Sequence, residues 1–120
     1  MQFKECYQNP FIEERADPYI TLGPDGFYYF TASYPMKSAD DKDGYDRVIL
    51  RRAKDISELA SAEEITIWKV ADTTLTHRFI WAPELHYIAG RWYVFYAGSE
   101  DKENNWAFDC HVLVCDSDDP

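Results

Sequence analysis

Two similar aromatic hairpin patterns, about 65 residues apart, constrain the fold of this 120-residue sequence more than any other feature. The first hairpin turns at Gly-Pro-Asp-Gly and the second at Ala-Gly. The matched positions are residues 17–20, 26 and 28–32 in the first hairpin and residues 84–87, 90 and 93–97 in the second. Aromatic and β-branched residues favour strands. A repeated hairpin of this size is typical of β-propeller blades, although any two aromatic hairpins share some similarity. The sequence therefore predicts an all-β fold of antiparallel strands.

Three further segments have the composition of strands. They cover residues 47–52, 65–70 and 110–115, and the strict alternation of residues 65–70 indicates a strand with one exposed face. Residues 37–44 form a polar loop, and residues 57–64 have too few apolar anchors to predict a helix. Together with the two hairpins, these segments predict seven strands.

The charge balance excludes several classes of partner. The net charge is −10, and a chain this acidic repels phosphate backbones and anionic membrane surfaces. The basic cluster of Arg47, Arg51, Arg52 and Lys54 is flanked by acidic residues. Apolar runs stay well short of the roughly 20 residues that a membrane-spanning helix needs. We therefore predict that the protein binds neither nucleic acid nor membranes.

The N-terminus and the cysteines bear on localisation. The first residues lack the charged and then apolar pattern of a signal peptide, so the chain as written is predicted to be cytoplasmic, or secreted if a signal has been removed. Three cysteines leave at least one thiol unpaired. Cys110 and Cys115 lie in one predicted strand at an odd spacing, which points them to opposite faces. The prediction is free thiols in a reducing compartment.

A metal site has little support in the sequence. Asp41, Asp43 and Gly44 resemble part of a calcium-binding loop, but that pattern requires carboxylates where the chain has Ala39 and Leu50. The chain also lacks a Cys-x-x-Cys pair, so a zinc site is not indicated. We therefore predict a solvated acidic loop, no metal ligands and no cofactor.

Six short motifs follow one another in a distinctive order. They are Asn9-Pro10, RADPYI at 15–20, DGFYYFTAS at 25–33, RRAKDI at 51–56, WAPELHYI at 81–88 and GRWYVFY at 90–96. Their order and spacing resemble the N-terminal part of glycoside hydrolase family 43, in particular its α-L-arabinofuranosidase-like members. The resemblance covers nearly the whole chain. It implies a five-bladed β-propeller, of which this chain would contain about two blades, at residues 10–70 and 71–120.

The resemblance implies that Asp17 is a catalytic residue. The family uses an Asp as general base, a second Asp that tunes the general acid, and a Glu as the general acid. The position of the base, at the start of the innermost strand of the first blade, matches Asp17. Arg15 would favour the ionised carboxylate if its side chain turned toward Asp17. The alternative is that Asp17-Pro18 is a simple strand-entry turn.

Four further residues are candidates for binding the substrate. Trp81 resembles the tryptophan that lines the first sugar subsite of the family, and Tyr34 matches an aromatic position beside the pocket. Core packing is the alternative for both. Glu84 heads the inner strand of the second blade and could face the channel and bond sugar hydroxyls, with His86 orienting it. The alternatives are a structural role for Glu84 and a satisfied core histidine.

The implied activity is glycoside hydrolysis. The resemblance implies removal of terminal α-L-arabinofuranosyl groups from plant arabinan or arabinoxylan with inversion, and β-xylosidase activity is the alternative enzyme function. The expected partner is thus a carbohydrate that contains arabinose or xylose. Some family members hold an ion in the channel through a later-blade histidine, which these residues do not include. A non-catalytic pentose-binding module and an assembly scaffold are the alternatives that are not enzymes.

Two blades cannot form this active site alone. Two of the three carboxylates have no counterpart here, and two blades cannot close a ring without exposing large apolar faces. We expect one of three arrangements. The chain is a piece of a longer enzyme with C-terminal blades, it assembles into a homo-oligomer, or another chain supplies the other blades.

Overall fold

The fold consists of antiparallel strands in two sheets. The computed structural model describes residues 2, 6–38, 44–72, 78–100 and 106–120. The strands in this part of the chain are β1 (Ala16–Leu22), β2 (Tyr28–Ser33), β3 (Arg47–Ala53), β4 (Ile65–Lys69), β5 (Arg78–Ile88), β6 (Arg91–Ser99) and β7 (Phe108–Val114). Two short 3₁₀ turns, at Ile56–Glu58 and Val70–Asp72, flank β4. Among the described residues, no helix has the length and apolar character needed to cross a membrane.

Strands that are neighbours in sequence are also neighbours in space. The first sheet has the order β1-β2-β3-β4 and the second has the order β5-β6-β7, with every pair antiparallel. The all-β prediction is confirmed, and each predicted segment overlaps one of the seven described strands. The sheets extend over residues 16–69 and 78–114. The division into blades at residues 10–70 and 71–120, and the five-bladed ring, stay predictions.

The hairpin turns follow from residues with positive φ. Ile88 pairs with Arg91, so the second turn has only two residues, Ala89 at φ +50° and Gly90 at φ +84°. Two central residues of positive φ are the geometry of a type I′ turn, whose twist matches that of the strands. The first turn uses Gly26 at φ +78°. Both turns therefore connect the strands of the two hairpins that the aromatic pattern predicts.

The two sheets share an apolar core. Its buried members from the first sheet are Tyr29, Val48 and Leu50, and those from the second sheet are Ile80, Leu85, Trp92, Val94 and Tyr96. Trp92 is 1% exposed, and its ring centroid lies 4.9 Å from that of Tyr29. The Trp92 Nε1–H donates to the carbonyl of Asp118 at 3.0 Å. This packing holds the first sheet against the second.

A second apolar cluster covers another part of the first sheet. It contains Phe30, Ala32, Ile49, Ala53 and Leu59, all buried. Phe11, Ile12 and Tyr34 from outside the strands pack against it. The first sheet therefore has apolar partners in two clusters, which explains why β2 is buried along nearly its whole length.

The described cysteines form no disulfide. Cys6 and Cys110 are exposed and Cys115 is half-buried, and the reducing compartment stays a prediction. No group of three His, Cys, Asp or Glu side chains within the described ranges could hold a metal ion. Asp41 and Asp43, which the sequence assigns to a solvated loop, lie outside the described residues.

Candidate active site

Asp17 lies on a bulge near the start of β1. Pairing with β2 jumps from Ala16–Ser33 to Tyr19–Thr31, and Asp17 in this gap has φ +50°. Asp is one of the residues that tolerate a left-handed backbone, and bulges redirect side chains. The Asp17 Oδ2 accepts a hydrogen bond from Ser33 Oγ at 2.9 Å, while the residue as a whole is exposed. The carboxylate is thus anchored at one oxygen and accessible to water.

The strand β5 repeats this bulge. Its pairing with β6 jumps from Trp81–Ala97 to Glu84–Phe95, and Ala82 in the gap has φ +46°. A proline follows the bulged residue in both strands. The structural equivalent of Asp17 is therefore Ala82, and the sequence alignment that paired residues 17–20 with 84–87 is wrong by two positions. The error arose because bulges interrupt the alternation on which the alignment relied.

The sequence left open whether Arg15 turns toward Asp17, and its guanidinium instead donates to Glu64 and to the carbonyl of Glu14. Its Nε donates to Glu64 Oε2 at 3.0 Å, and its Nη2 donates to Glu64 Oε1. Arg51 Nε donates to the same carboxylate, also at 3.0 Å. Burial raises the pKa of Glu64, but the hydrogen bonds from Arg15 and Arg51 outweigh this and hold the pKa below its usual value. Glu64 is therefore the counter-ion that Arg15 and Arg51 share.

We expect Glu64→Gln to destabilise the chain by about 2–3 kcal/mol at neutral pH, because it leaves two guanidinium groups without a counter-charge. The Arg15 and Arg51 side chains are only 11% and 15% exposed. Since the pKa of Glu64 is lowered in the folded state, its contribution to stability is present above the ordinary glutamate pKa of 4.5 and is lost as the pH falls through the lowered value. Urea unfolding at several pH values measures this.

The control for this prediction is Glu63→Gln, at the exposed neighbouring position. Its free energy of unfolding should stay within about 0.5 kcal/mol of the wild type. The difference in the free energy of unfolding between the wild type and Glu64→Gln should narrow as the pH falls from about 5 toward about 2. A difference that stayed constant over this range would contradict the assigned ion pair.

Tyr34 lies among cations. The guanidinium carbons of Arg15 and Arg47 are 4.3 and 4.4 Å from the centroid of its ring. Contacts at this distance are favourable cation–π interactions. Two cations thus already contact the ring of Tyr34 in this structure, and its predicted place beside a sugar pocket stays a prediction.

Trp81 belongs to an aromatic cluster that the sequence did not reveal. Its ring stacks on Phe108 with centroids 4.3 Å apart and planes 23° apart. Tyr45, Phe79 and Trp106 contact it at centroid distances of 5.8, 5.8 and 6.1 Å. The Trp81 Nε1 is buried and has no hydrogen-bond partner among the described residues. These aromatic residues come from three segments of the chain, near residues 45, 79–81 and 106–108, and no local pattern predicts that the three segments meet.

Glu84 and His86 are in contact, which is one of the two alternatives that the sequence left open for His86. The His86 Nε2 lies 3.0 Å from Glu84 Oε2, and His86 Nδ1 lies 3.4 Å from the hydroxyl of Tyr19. The network assigns the proton to Nε2, which donates to the carboxylate, while Nδ1 accepts from Tyr19. The Glu84 side chain is 52% exposed. A carboxylate is thus held in one orientation at the solvent boundary, and Tyr19 is the member that sequence reasoning missed.

Of the residues that the sequence singles out, Glu84 lines an open cleft, and Asp17, Tyr34, Trp81 and His86 are not on its wall. This cleft, of about 400 Å³, lies beside Ala82 and Glu84, with Phe108 and Asp109 of β7 on its wall. Ser33 joins the two bulges, because its Oγ also accepts the backbone N–H of Ala82 at 2.8 Å. A carboxylate, an aromatic cluster and a His–Glu pair are chemistry suited to a polar ligand with apolar faces, such as a sugar.

The sequence of this chain is similar to those of known glycoside hydrolases. The family described as Glycosyl hydrolases family 43 matches residues 7–120. The chain is 41% identical over 114 residues to the extracellular exo-α-(1→5)-L-arabinofuranosidase of Streptomyces avermitilis. It is 47% identical over 91 residues to α-L-arabinofuranosidase 43 of Humicola insolens. The first match covers 95% of this chain and 22% of the relative. The second covers 76% of this chain and 17% of the relative.

Solved structures are also similar to this chain. The α-L-arabinofuranosidase from Lactobacillus brevis superposes with a TM-score of 0.77 at 41% identity, covering 95% of this chain and 34% of that one. The GH43_1 enzyme from Xanthomonas citri, in complex with xylose, superposes with a TM-score of 0.70 at 22% identity, over 88% of this chain and 30% of that one, which shows a shared fold. The resemblance found in the sequence motifs is confirmed. The chain belongs to glycosyl hydrolases family 43, and the match to this family covers all but the first six residues of the chain.

Proposed function

We propose that this chain is the N-terminal part of an α-L-arabinofuranosidase and that Asp17 is its general base. The observation that carries the proposal is the geometry of Asp17, an exposed carboxylate on a bulge with one oxygen anchored by a buried serine. The names of relatives that are 41% and 47% identical support arabinofuranosides as the substrate class. Two of the relatives are named extracellular, which supports an extracellular site of action.

The proposed reaction is hydrolysis with inversion at the anomeric carbon. Asp17 removes a proton from a water molecule while the water oxygen forms a bond to the anomeric carbon. The bond from that carbon to the leaving oxygen breaks, and a carboxylic acid on the opposite face gives its proton to the leaving oxygen. The two carboxyl groups of such a pair stand about 6.5–9.5 Å apart, which leaves room for the water. We assign the acid to another blade.

The other candidate residues take binding roles in this proposal. Trp81 provides an apolar wall on which a furanose ring packs. Glu84 accepts hydrogen bonds from sugar hydroxyls, and His86 holds its carboxylate in place at 3.0 Å. Tyr34 lies at the edge of the pocket. No step of the proposed reaction requires a metal or cofactor held by these residues.

We further propose that other blades complete this site. The chain spans about a third of the Lactobacillus brevis enzyme and a fifth of the Streptomyces avermitilis enzyme. The edge strand β7 exposes Val112 at 55% and Val114 at 49%, apolar side chains that an adjoining strand or blade would cover. Further chain, copies of this chain in a homo-oligomer, or a second protein would supply the remaining blades.

A completed enzyme tests the proposal. It is made by placing residues 7–120 of this chain in the Lactobacillus brevis arabinofuranosidase, in exchange for the segment they match. We expect it to release nitrophenol from 4-nitrophenyl α-L-arabinofuranoside much faster than from the β-D-xyloside, with inversion seen by proton NMR. Preference for the xyloside would favour the β-xylosidase alternative. A folded chimera that binds arabinose without turnover would favour the pentose-binding module.

Trp81→Ala in the completed enzyme is expected to raise KM about tenfold, because an aromatic wall contributes about 1–2 kcal/mol to binding. Trp81→Phe keeps an aromatic face and should recover most of the affinity. Initial rates over a range of arabinofuranoside concentrations measure both values, and thermal unfolding checks that the variants are folded. An unchanged KM in a folded Trp81→Ala variant would remove Trp81 from the pocket.

A further inference from the structure

One buried hydroxyl connects the proposed base to the other sheet. Ser33 is the last residue of β2 and is 0% exposed. Its Oγ–H donates to Asp17 Oδ2 at 2.9 Å, and its Oγ accepts the N–H of Ala82 at 2.8 Å. The hydroxyl has one donor, and Asp17 uses it. The two contacts therefore fix the rotation of the Ser33 hydroxyl and link Asp17 to Ala82 through it.

Both partners of Ser33 lie on bulges with a left-handed backbone. For a residue such as Ala82 that conformation is strained, so the surrounding structure must hold it in place. The hydrogen bond from the N–H of Ala82 to Ser33 is one such restraint. Ala82 directly follows Trp81. The position of Ser33 thus affects both the carboxylate of Asp17 and the strand that carries Trp81.

We infer that Ser33 is a positioning residue that sets the Asp17 carboxylate relative to the strand of Trp81. The inference rests on the proposed function, in which Asp17 is the base and Trp81 is a wall of the pocket. Catalysis by a general base requires the carboxylate at hydrogen-bond distance from the attacking water. A misplacement of about 1 Å costs on the order of 10²-fold in rate, so a clamp on the carboxylate acts on kcat.

The same strand offers a matched control. Thr31 lies two residues before Ser33, on the same face of β2, and is 1% exposed. Its Oγ1 is buried and has no hydrogen-bond partner among the described residues. Thr31→Val therefore removes a buried hydroxyl at constant volume without removing a described contact. An effect seen in Ser33→Ala and not in Thr31→Val is therefore due to the two lost hydrogen bonds and not to the loss of a buried hydroxyl as such.

The first test uses the 120-residue chain itself and does not need activity. Removing the acceptor of the Ala82 N–H should make this amide exchange with deuterium at least about tenfold faster in Ser33→Ala than in the wild type. Thr31→Val should leave the exchange rate of the Ala82 amide unchanged. Equal rates in the wild type and in Ser33→Ala would overturn the clamp between the two bulges.

The second test measures kinetics in the completed enzyme. We expect Ser33→Ala to lower kcat for the aryl arabinofuranoside by about 10–100-fold with KM changed less than about threefold. Ser33→Thr, which keeps a donor and an acceptor, should be more active than Ser33→Ala, and Thr31→Val should match the wild type. Wild-type kcat in Ser33→Ala beside an inactive Asp17→Asn variant would overturn the role of Ser33. Full activity in Asp17→Asn would instead contradict the proposed base.

Discussion

Asp17→Asn is expected to lower kcat for arabinofuranoside hydrolysis by about 10³-fold in the completed enzyme. Asn has nearly the same shape as Asp, and its Oδ1 can still accept the hydrogen bond from Ser33, so the bulge should keep its conformation. An amide, however, cannot take the proton of the attacking water. The loss should therefore appear in kcat, with KM changed much less, because the interaction lost is one made in the transition state.

The control for this variant is Asp116→Asn, which neutralises an exposed Asp in the C-terminal segment, far along the chain from β1. Its kcat should equal that of the wild type. Circular dichroism and thermal unfolding of both variants establish that they are folded. An Asp17→Asn enzyme that kept more than about a tenth of the wild-type kcat would show that Asp17 is not the general base.

Trp92→Ala is expected to destabilise the 120-residue chain by about 3–5 kcal/mol, the cost of replacing a fully buried large aromatic side chain. Trp92 packs against Tyr29 at 4.9 Å and Tyr87 at 5.0 Å between ring centroids, and it lies in the core that both sheets share. The substitution also removes the donor to the carbonyl of Asp118. A loss of this size is a large fraction of the stability of an ordinary domain.

The matched control is Trp106→Ala, the same substitution at a side chain that is 79% exposed. We expect it to change the free energy of unfolding by less than about 1 kcal/mol, because little buried area is lost. Urea unfolding followed by far-UV circular dichroism suits both variants, since it does not depend on tryptophan emission. Equal destabilisation by the two substitutions would contradict the placement of Trp92 between the sheets.

The strands were predictable from the sequence because their signals are local. Alternation identified residues 65–70, and Gly-rich turns identified the ends of both hairpins. β5 begins at Arg78, six residues before the start that the pattern predicts at residue 84. The intervening residues include Phe79 and Ala82, both with positive φ, and pairing with β6 shifts twice there. Bulges break the period of two, so a search for alternation cannot detect a strand through them.

The site was predictable only in part. The resemblance drew attention to Asp17, and local spacing suggested the contact between His86 and Glu84, which the structure contains. The partner of Arg15 was missed because Glu64 is far away in sequence and becomes its neighbour only through the successive pairing of β1, β2, β3 and β4. Ser33 was missed for the same reason. Its two partners lie on strands of different sheets, and no spacing along the chain records that.

The shared bulge of β1 and β5 separates the shape of the backbone from its chemistry. At equivalent places the two hairpins have a left-handed residue followed by a proline, and one of these residues is Asp17 while the other is Ala82. Repetition of a structural unit thus provides several backbone positions of similar geometry, and each can carry a different side chain. An asymmetric substrate needs different groups on its different sides. In a protein built from repeats, a substitution at one such position is enough to give one unit a chemical group that the next unit lacks.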